Sequence, residues 1–112
     1  MIENIGAGLE RYMSLLTSRQ KLVAGNIANA DTPGYHTQDI DFQAEFRDAA
    51  GGGPPGVIQP EGLAVKNDGN DVSLDRESRL LAENALRFQV VSGLMRSQIQ
   101  AVRSAIEVDK TP

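Results

Sequence analysis

Apolar residues recur every three or four positions near both ends of the chain, with a polar stretch between them. This periodicity predicts an amphipathic helix over residues 2–30 and a second one over residues 75–108. Ser73 and Asp75 are both suitable N-caps for the second helix. At about 1.5 Å rise per residue, the two helices are expected to be roughly 40 Å and 50 Å long.

The apolar stripes on these helices are wider than a single helix–helix contact buries. Between Gln89 and Ala101 the one charged residue is Arg96, whereas a solvated helix usually carries more charge on its outer face. We therefore expect an antiparallel coiled-coil hairpin, mainly α, whose remaining apolar surface meets other chains. The positions expected to pack in the hairpin or in the assembly are Leu16, Val23, Phe88, Val91, Met95 and Val102.

The segment of residues 31–74 is irregular by pattern and carries eight acidic residues against two basic ones. Residues 39–46 are expected to start extended and to finish as a short helical turn. Residues 57–58 are expected to pair with residues 63–65 in a weak two-stranded ribbon. We thus expect a single domain with four parts: residues 1–30, 31–74, 75–108 and a tail at 109–112.

Two further stretches of this middle segment have the composition of loops. Residues 51–56 read Gly-Gly-Gly-Pro-Pro-Gly, which is typical of a flexible linker. Residues 67–71 read Asn-Asp-Gly-Asn-Asp, which predicts a turn.

A sharp corner is predicted where the first helix ends. The side chains of Asn29 and Asp31 compete with helical hydrogen bonds, and Pro33 disfavours the helical conformation of the residue before it. Thr-Pro-Gly-Tyr at residues 32–35 places Pro at i+1 and Gly34 at i+2, as a type II turn requires.

Composition narrows the function classes. The 112 residues suit one small domain, and the absence of cysteine excludes disulfides and thiolate metal sites. A net charge of −4 argues against nucleic-acid binding, and no apolar run is long enough to span a membrane. The start Met-Ile-Glu-Asn lacks the basic residues of a secretory signal peptide, so we expect any export to use a route without a cleaved signal.

Candidate chemistry is sparse. His36 with Asp39 and Asp41 offers at most a hard-cation site, and solvated side chains after a turn are the better interpretation. Residues 67–71 lack the spacing and the distal Glu of a calcium loop. No catalytic pattern stands out, so we expect no enzyme activity, no cofactor and no metal.

The corner Gly25-Asn-Ile-Ala-Asn-Ala-Asp-Thr-Pro-Gly-Tyr35, followed by Asp39-Ile-Asp-Phe42, resembles the N-terminal motif of bacterial flagellar rod and hook axial proteins. Residues 72–77 and 84–89 fit the second half of the family pattern. Gly25 departs from the Ala or Ser that is usual there. The motif positions are Asn26, Ile27, Asn29, Thr32, Pro33, Gly34 and Tyr35.

The resemblance implies a structural subunit of the basal-body proximal rod, which transmits torque across the periplasm. It also implies export by the flagellar type III apparatus without a cleaved signal peptide. The partners implied are other rod subunits, in homo- and hetero-oligomeric contacts, and a FliE-like adaptor and the membrane ring at the proximal end. The alternatives are another axial subunit or a cytoplasmic helical adaptor protein.

Overall fold

Two long helices form the body of the protein, which the computed structural model describes over residues 2–48 and 53–110. The described chain is elongated, with principal extents of 73 × 26 × 17 Å. Its elements in chain order are α1 (Ile2–Ala28), β1 (Asp39–Ile40), α2 (Phe42–Arg47), β2 (Val57–Ile58) and α3 (Leu74–Lys110).

Helices α1 and α3 pack as an antiparallel hairpin, as the sequence predicts. The Arg87 guanidinium donates to the Tyr12 hydroxyl at 2.9 Å, and the Asn84 amide donates to the Leu16 carbonyl at 3.4 Å. Residues nearer the end of α1 therefore contact residues nearer the start of α3, as in an antiparallel pair. The mainly helical hairpin with a short ribbon in its middle segment is confirmed.

The core lies between the two helices and the segment that contains β1 and α2. Leu15, Leu16, Ile40, Phe42 and Val91 form its buried cluster. The ring of Tyr12 meets the rings of Phe42 and Phe46 edge to face, with centroids 5.0 and 5.3 Å apart. Helix α2 thus covers one flank of α1 and extends the core sideways.

The short ribbon forms, but its predicted pairing is wrong. Strand β2 pairs antiparallel with β1, in the register Asp39 to Ile58 and Ile40 to Val57, and residues 63–65 form no strand. The buried side chains of β1 already fix its backbone, so β2 pairs with an ordered edge and fewer residues lose conformational freedom. The predicted extended start and helical turn over residues 39–46 are confirmed.

The ends of the long helices differ slightly from the predicted ones. Helix α1 ends at Ala28, after which the Ala30 and Thr32 amides donate to carbonyls three residues back, at 3.2 and 3.1 Å, and the Asn29 side-chain amide donates to the Gly25 carbonyl at 2.8 Å. Ser73 is the N-cap of α3, since its hydroxyl accepts from the Arg76 amide at 3.2 Å. Helix α3 runs on to Lys110.

Three predictions for the remaining segments have different outcomes. Residues 67–71 form the predicted turn, with Gly69 at a φ of +84°. Part of the predicted linker, residues 51–52, lies outside the described residues, as do residues 111–112 of the tail. In the described part of the chain, no helix has a window apolar enough to cross a bilayer.

Replacing Leu16, which is completely buried, with Ala is expected to lower the free energy of unfolding by about 2–5 kcal/mol, since it leaves a cavity. The matched control is Leu86→Ala, at a position that is 62% exposed, with an expected change within about 0.5 kcal/mol. Urea unfolding followed by helical circular dichroism measures both. Equal losses in the two variants would contradict this placement of the core.

Candidate functional site

The predicted corner is a type II turn that packs on a second turn far along the chain. The Tyr35 amide donates to the Thr32 carbonyl at 3.2 Å, and Gly34 has a φ of +75°. The Gly34 amide donates to the Asp68 carbonyl at 2.9 Å. A Cβ on Gly69 would lie 3.4 Å from the Gly34 Cα, so the two turns meet through glycine backbones.

Asn26 joins α1 to the chain that leaves the corner. Its side chain is fully buried. The amide nitrogen donates to the Gln38 carbonyl at 2.8 Å, and the amide oxygen accepts from the Gln38 amide at 3.0 Å. The Tyr35 hydroxyl donates to the same oxygen at 3.1 Å. One side chain therefore satisfies both backbone groups of Gln38, as a neighbouring strand would.

Asn70 also binds backbone groups, at the corner that follows α1, and its place in a predicted turn did not indicate this role. Its buried amide donates to the Asn29 carbonyl at 2.9 Å and to the Thr32 carbonyl at 2.8 Å. Its oxygen accepts from the Val72 amide at 2.8 Å. The Asn29 carbonyl already accepts from the Thr32 amide, and the Thr32 carbonyl from the Tyr35 amide, so Asn70 adds a second donor to each and ties the corner to the turn at residues 67–71.

Asp71 holds the segment that follows the corner. Its carboxylate accepts from the Thr37 amide at 2.6 Å and lies 3.3 Å from the His36 ring. Burial raises the pKa of Asp71, but the bonds from Thr37 and His36 outweigh it, so the pKa lies below its usual value. His36 thus faces Asp71 rather than Asp39 or Asp41. Among the described residues, no group of three potential metal ligands is brought together.

A buried ion cluster ties the two long helices to β1. The Arg19 guanidinium binds the Asp39 carboxylate through two bonds of 3.0 Å, and Arg76 donates to it at 2.6 Å. A second nitrogen of Arg76 donates to the buried Glu77 at 2.7 Å. Because Arg19 lies on α1 and Arg76 on α3, Asp39 connects both helices through charge-assisted bonds.

Two pKa shifts follow from this geometry. Burial raises the pKa of Asp39, but the bonds from Arg19, the Ile40 amide and Arg76 outweigh it, so the pKa is lowered overall. Burial, and then the Glu77 carboxylate, raise the pKa of Tyr35. The Tyr35 phenol therefore stays protonated and remains a donor to Asn26.

The predicted motif residues and the predicted packing residues differ in how deeply they are buried. Of the motif residues, Asn26 is buried, Asn29 and Tyr35 are half-buried, and the rest lie on the outside of the corner: Ile27, Thr32, Pro33 and Gly34. Of the packing residues, Leu16, Val23 and Val91 are buried, Phe88 and Met95 are partly buried, and Val102 is exposed. Their roles in assembly stay predictions.

Two open apolar surfaces stand out within residues 2–48 and 53–110. The first, here called the groove, is a trough between α1, α2 and α3 with a volume of about 550 Å³. The second is the exposed end of α3, residues 99–109, where every side chain is exposed. The side chains that form most of the groove are Ile5, Leu9, Phe46, Leu86, Val90 and Leu94.

Comparison with known proteins points to one family. Residues 13–36 match the family described as flagella basal body rod protein. The chain is similar to the flagellar basal body rod protein FlgB of Yersinia enterocolitica, with 31% identity covering 88% of this chain and 90% of the relative. It is also similar to FlgB of Cereibacter sphaeroides (strain ATCC 17029 / ATH 2.4.9), with 34% identity covering 83% and 86%. For FlgB of Escherichia coli (strain K12), the identity is 28% over 96% and 98%.

Replacing Asn26 with Ala removes three hydrogen bonds and is expected to lower the free energy of unfolding by about 2–3 kcal/mol. Tyr35→Phe removes one of those bonds and is expected to lose about 1 kcal/mol. Urea unfolding of both variants at neutral pH measures the difference. If Tyr35→Phe costs as much as Asn26→Ala, the Gln38 backbone does not depend on Asn26.

Acid is expected to weaken the fold through Asp39. Because its pKa is lower in the folded chain, its ion pairs stabilise the fold fully above the unfolded value near 3.9. That stability is lost as the pH falls through the folded pKa. Below about pH 4, the urea midpoint of Asp39→Asn should therefore fall less steeply with decreasing pH than that of the wild-type chain.

The pKa of Asp71 is also lowered in the folded chain, so Asp71→Asn is the matched comparison for this acid dependence. Each single variant is expected to remove part of the dependence, and the double variant more of it. An unchanged acid dependence in Asp39→Asn would show that the cluster adds nothing in this range.

Proposed function

The chain belongs to the FlgB family of flagellar basal body rod proteins, and we propose that, as a structural subunit of the rod, it stands at the proximal end and transmits torque across the periplasm. The observation that carries this proposal is similarity to FlgB proteins over most of both chains. The apolar surface left open on the helices supports it, because a rod subunit needs faces for its neighbours.

Torque transmission requires a subunit that resists deformation, and two features supply this resistance. Helix α3 is continuous over 37 residues, about 55 Å of the long axis. The Asp39 ion cluster fixes the segment after the corner to both long helices. In this proposal, the corner residues determine where the chain leaves the helical wall of the rod.

The proposed partners are further copies of this chain, related rod subunits, and a FliE-like adaptor and the membrane ring at the proximal end. The proposed route to the periplasm is the flagellar type III apparatus, without a cleaved signal peptide. Both proposals rest on the resemblance of residues 25–42 to the axial-protein motif and on the FlgB relatives.

The predicted packing residues take different roles within this proposal. Leu16, Val23 and Val91 hold the hairpin together, since they are buried within a single chain. Val102 is 40% exposed and is available to a neighbouring subunit. A polar substitution of Val91 would therefore disturb the fold before it tested assembly.

Deletion of this chain from its own bacterium is expected to leave membrane rings without rods and to abolish flagellar rotation. Expression of the wild-type chain should restore both. Val65→Glu, which changes an exposed loop residue, should restore them equally well and serves as the control. Electron microscopy of isolated basal bodies and rotation of tethered cells measure these outcomes. Normal rods and rotation without the chain would refute the proposed function.

A further inference from the structure

We propose that Asp68 is a modification site: in the unfolded chain it converts spontaneously to isoaspartate through attack by the Gly69 amide, and the folded corner blocks this reaction. The chemistry is separate from the proposed rod function, and its one co-reactant is water. It takes place in the turn at residues 67–71, which packs on the corner.

Asp68 precedes a glycine, and the sequence has no other aspartate or asparagine with glycine directly after it. Glycine has no Cβ, so its amide nitrogen is easier to approach and its backbone rotates more freely than that of other residues. Both properties favour attack of a backbone amide on the side chain before it. The sequence therefore singles out Asp68 as the most reactive such residue when the chain is unfolded.

The reaction leaves the composition of the chain unchanged. The Gly69 nitrogen bonds to the side-chain carboxyl carbon of Asp68, and its proton leaves with a hydroxyl group of that carboxyl as one water molecule. The five-membered succinimide then takes up one water molecule. Opening at the former side-chain carbonyl restores aspartate, whereas opening at the former main-chain carbonyl gives isoaspartate. No electron is transferred in either step.

The folded turn engages both reacting groups in other bonds. The Gly69 amide donates to the Lys66 carbonyl at 2.9 Å, which holds the proton that must leave. The Asp68 carboxylate accepts from the Asn70 amide at 3.0 Å, and the Lys66 amide donates to the Asn70 carbonyl at 2.8 Å. Attack requires these bonds to open, so the rate is limited by the fraction of chains in which the turn is open.

Contacts with the corner oppose that opening. The Asp68 carbonyl accepts from the Gly34 amide at 2.9 Å. The fully buried side chain of Asn70 donates to the Asn29 and Thr32 carbonyls at 2.9 and 2.8 Å. The turn is therefore freed when the corner comes apart, and formation of the corner protects Asp68.

Isoaspartate would damage the same corner. The main chain between Asp68 and Gly69 becomes longer by one carbon–carbon bond, about 1.5 Å. The carbonyl that accepts from the Gly34 amide becomes part of a free carboxylate, and Asn70 is displaced from the carbonyls that it binds. A chain that is modified while unfolded is therefore expected to refold to a less stable structure.

Peptide mapping of the purified chain tests the reaction. The chain is incubated at one pH and temperature, either folded in buffer or unfolded in guanidinium chloride, and is then digested with trypsin. Cleavage after Lys66 and Arg76 releases residues 67–76. Electron-transfer fragmentation of this peptide distinguishes isoaspartate formed at Asp68 from isoaspartate formed at Asp71.

The unfolded chain should form isoaspartate at Asp68 at least roughly tenfold faster than the folded chain. It should also react faster there than at Asp71, which precedes the β-branched Val72. Two variants serve as controls in the unfolded chain, where their effect on the fold plays no part. Gly69→Ala should slow the reaction roughly tenfold, and Asp68→Glu should remove the product, because its attack needs a six-membered ring.

Equal rates at Asp68 in the folded and the unfolded chain would overturn the protection by the corner. An unfolded chain that reacts no faster at Asp68 than at Asp71 would overturn the choice of residue. Urea unfolding of the separated modified chain should give a lower midpoint than that of the unmodified chain, and an equal midpoint would contradict damage to the corner. All these measurements use the isolated chain, so their failure leaves the proposed rod function standing.

Discussion

Two helices that pack against each other bury only the stripe that each turns toward its partner. Here that stripe contains Leu16 on α1 and Val91 on α3, and the β1–α2 segment covers one more flank. Leu86, Val90 and Leu94 occupy the next face of α3 and remain about half exposed. The surface available to neighbouring subunits is therefore part of the same helices that form the core. A substitution in the core that shifts a helix also shifts that surface.

The polar corner decides where the second flank lies. A chain that turns back after α1 brings backbone groups into partly buried positions, and these groups need partners. Asn26 and Asn70 supply them, and Asp39 joins the returning segment to both helices. Because α2 follows β1 directly, this network also fixes Phe46, which lines the groove. Local polar bonds thus position a distant apolar surface.

The sequence pattern predicted the elements whose conformation depends on residues a few positions apart, which are the long helices and the turn at the corner. Helical periodicity predicted the ends of both long helices to within two residues, and Thr-Pro-Gly-Tyr predicted the type II turn. The partner of Val57 and Ile58 was predicted wrongly, because the choice depends on which edge the rest of the fold has already ordered. The same limit applies to the site.

The roles of Asn70 and Arg76 were not predicted, since their partners lie 37 to 41 residues away along the chain. The width of the apolar stripes indicated that some surface stays open. It did not reveal which residues remain uncovered, because that depends on how α1 and α2 lie against α3. Val102, for example, shares its periodicity with buried Val91 and yet is exposed.

The central claim is that neighbouring subunits cover apolar helix surface that one chain leaves open, and hydrogen exchange tests it most directly. Amide exchange would be compared between the isolated chain and assembled rods. The account predicts protection at residues 15–26 and 80–91 in both states, and at residues 101–109 only in rods, since those residues lack tertiary cover within one chain. Equal exchange of residues 101–109 in the isolated chain and in rods would contradict the claim.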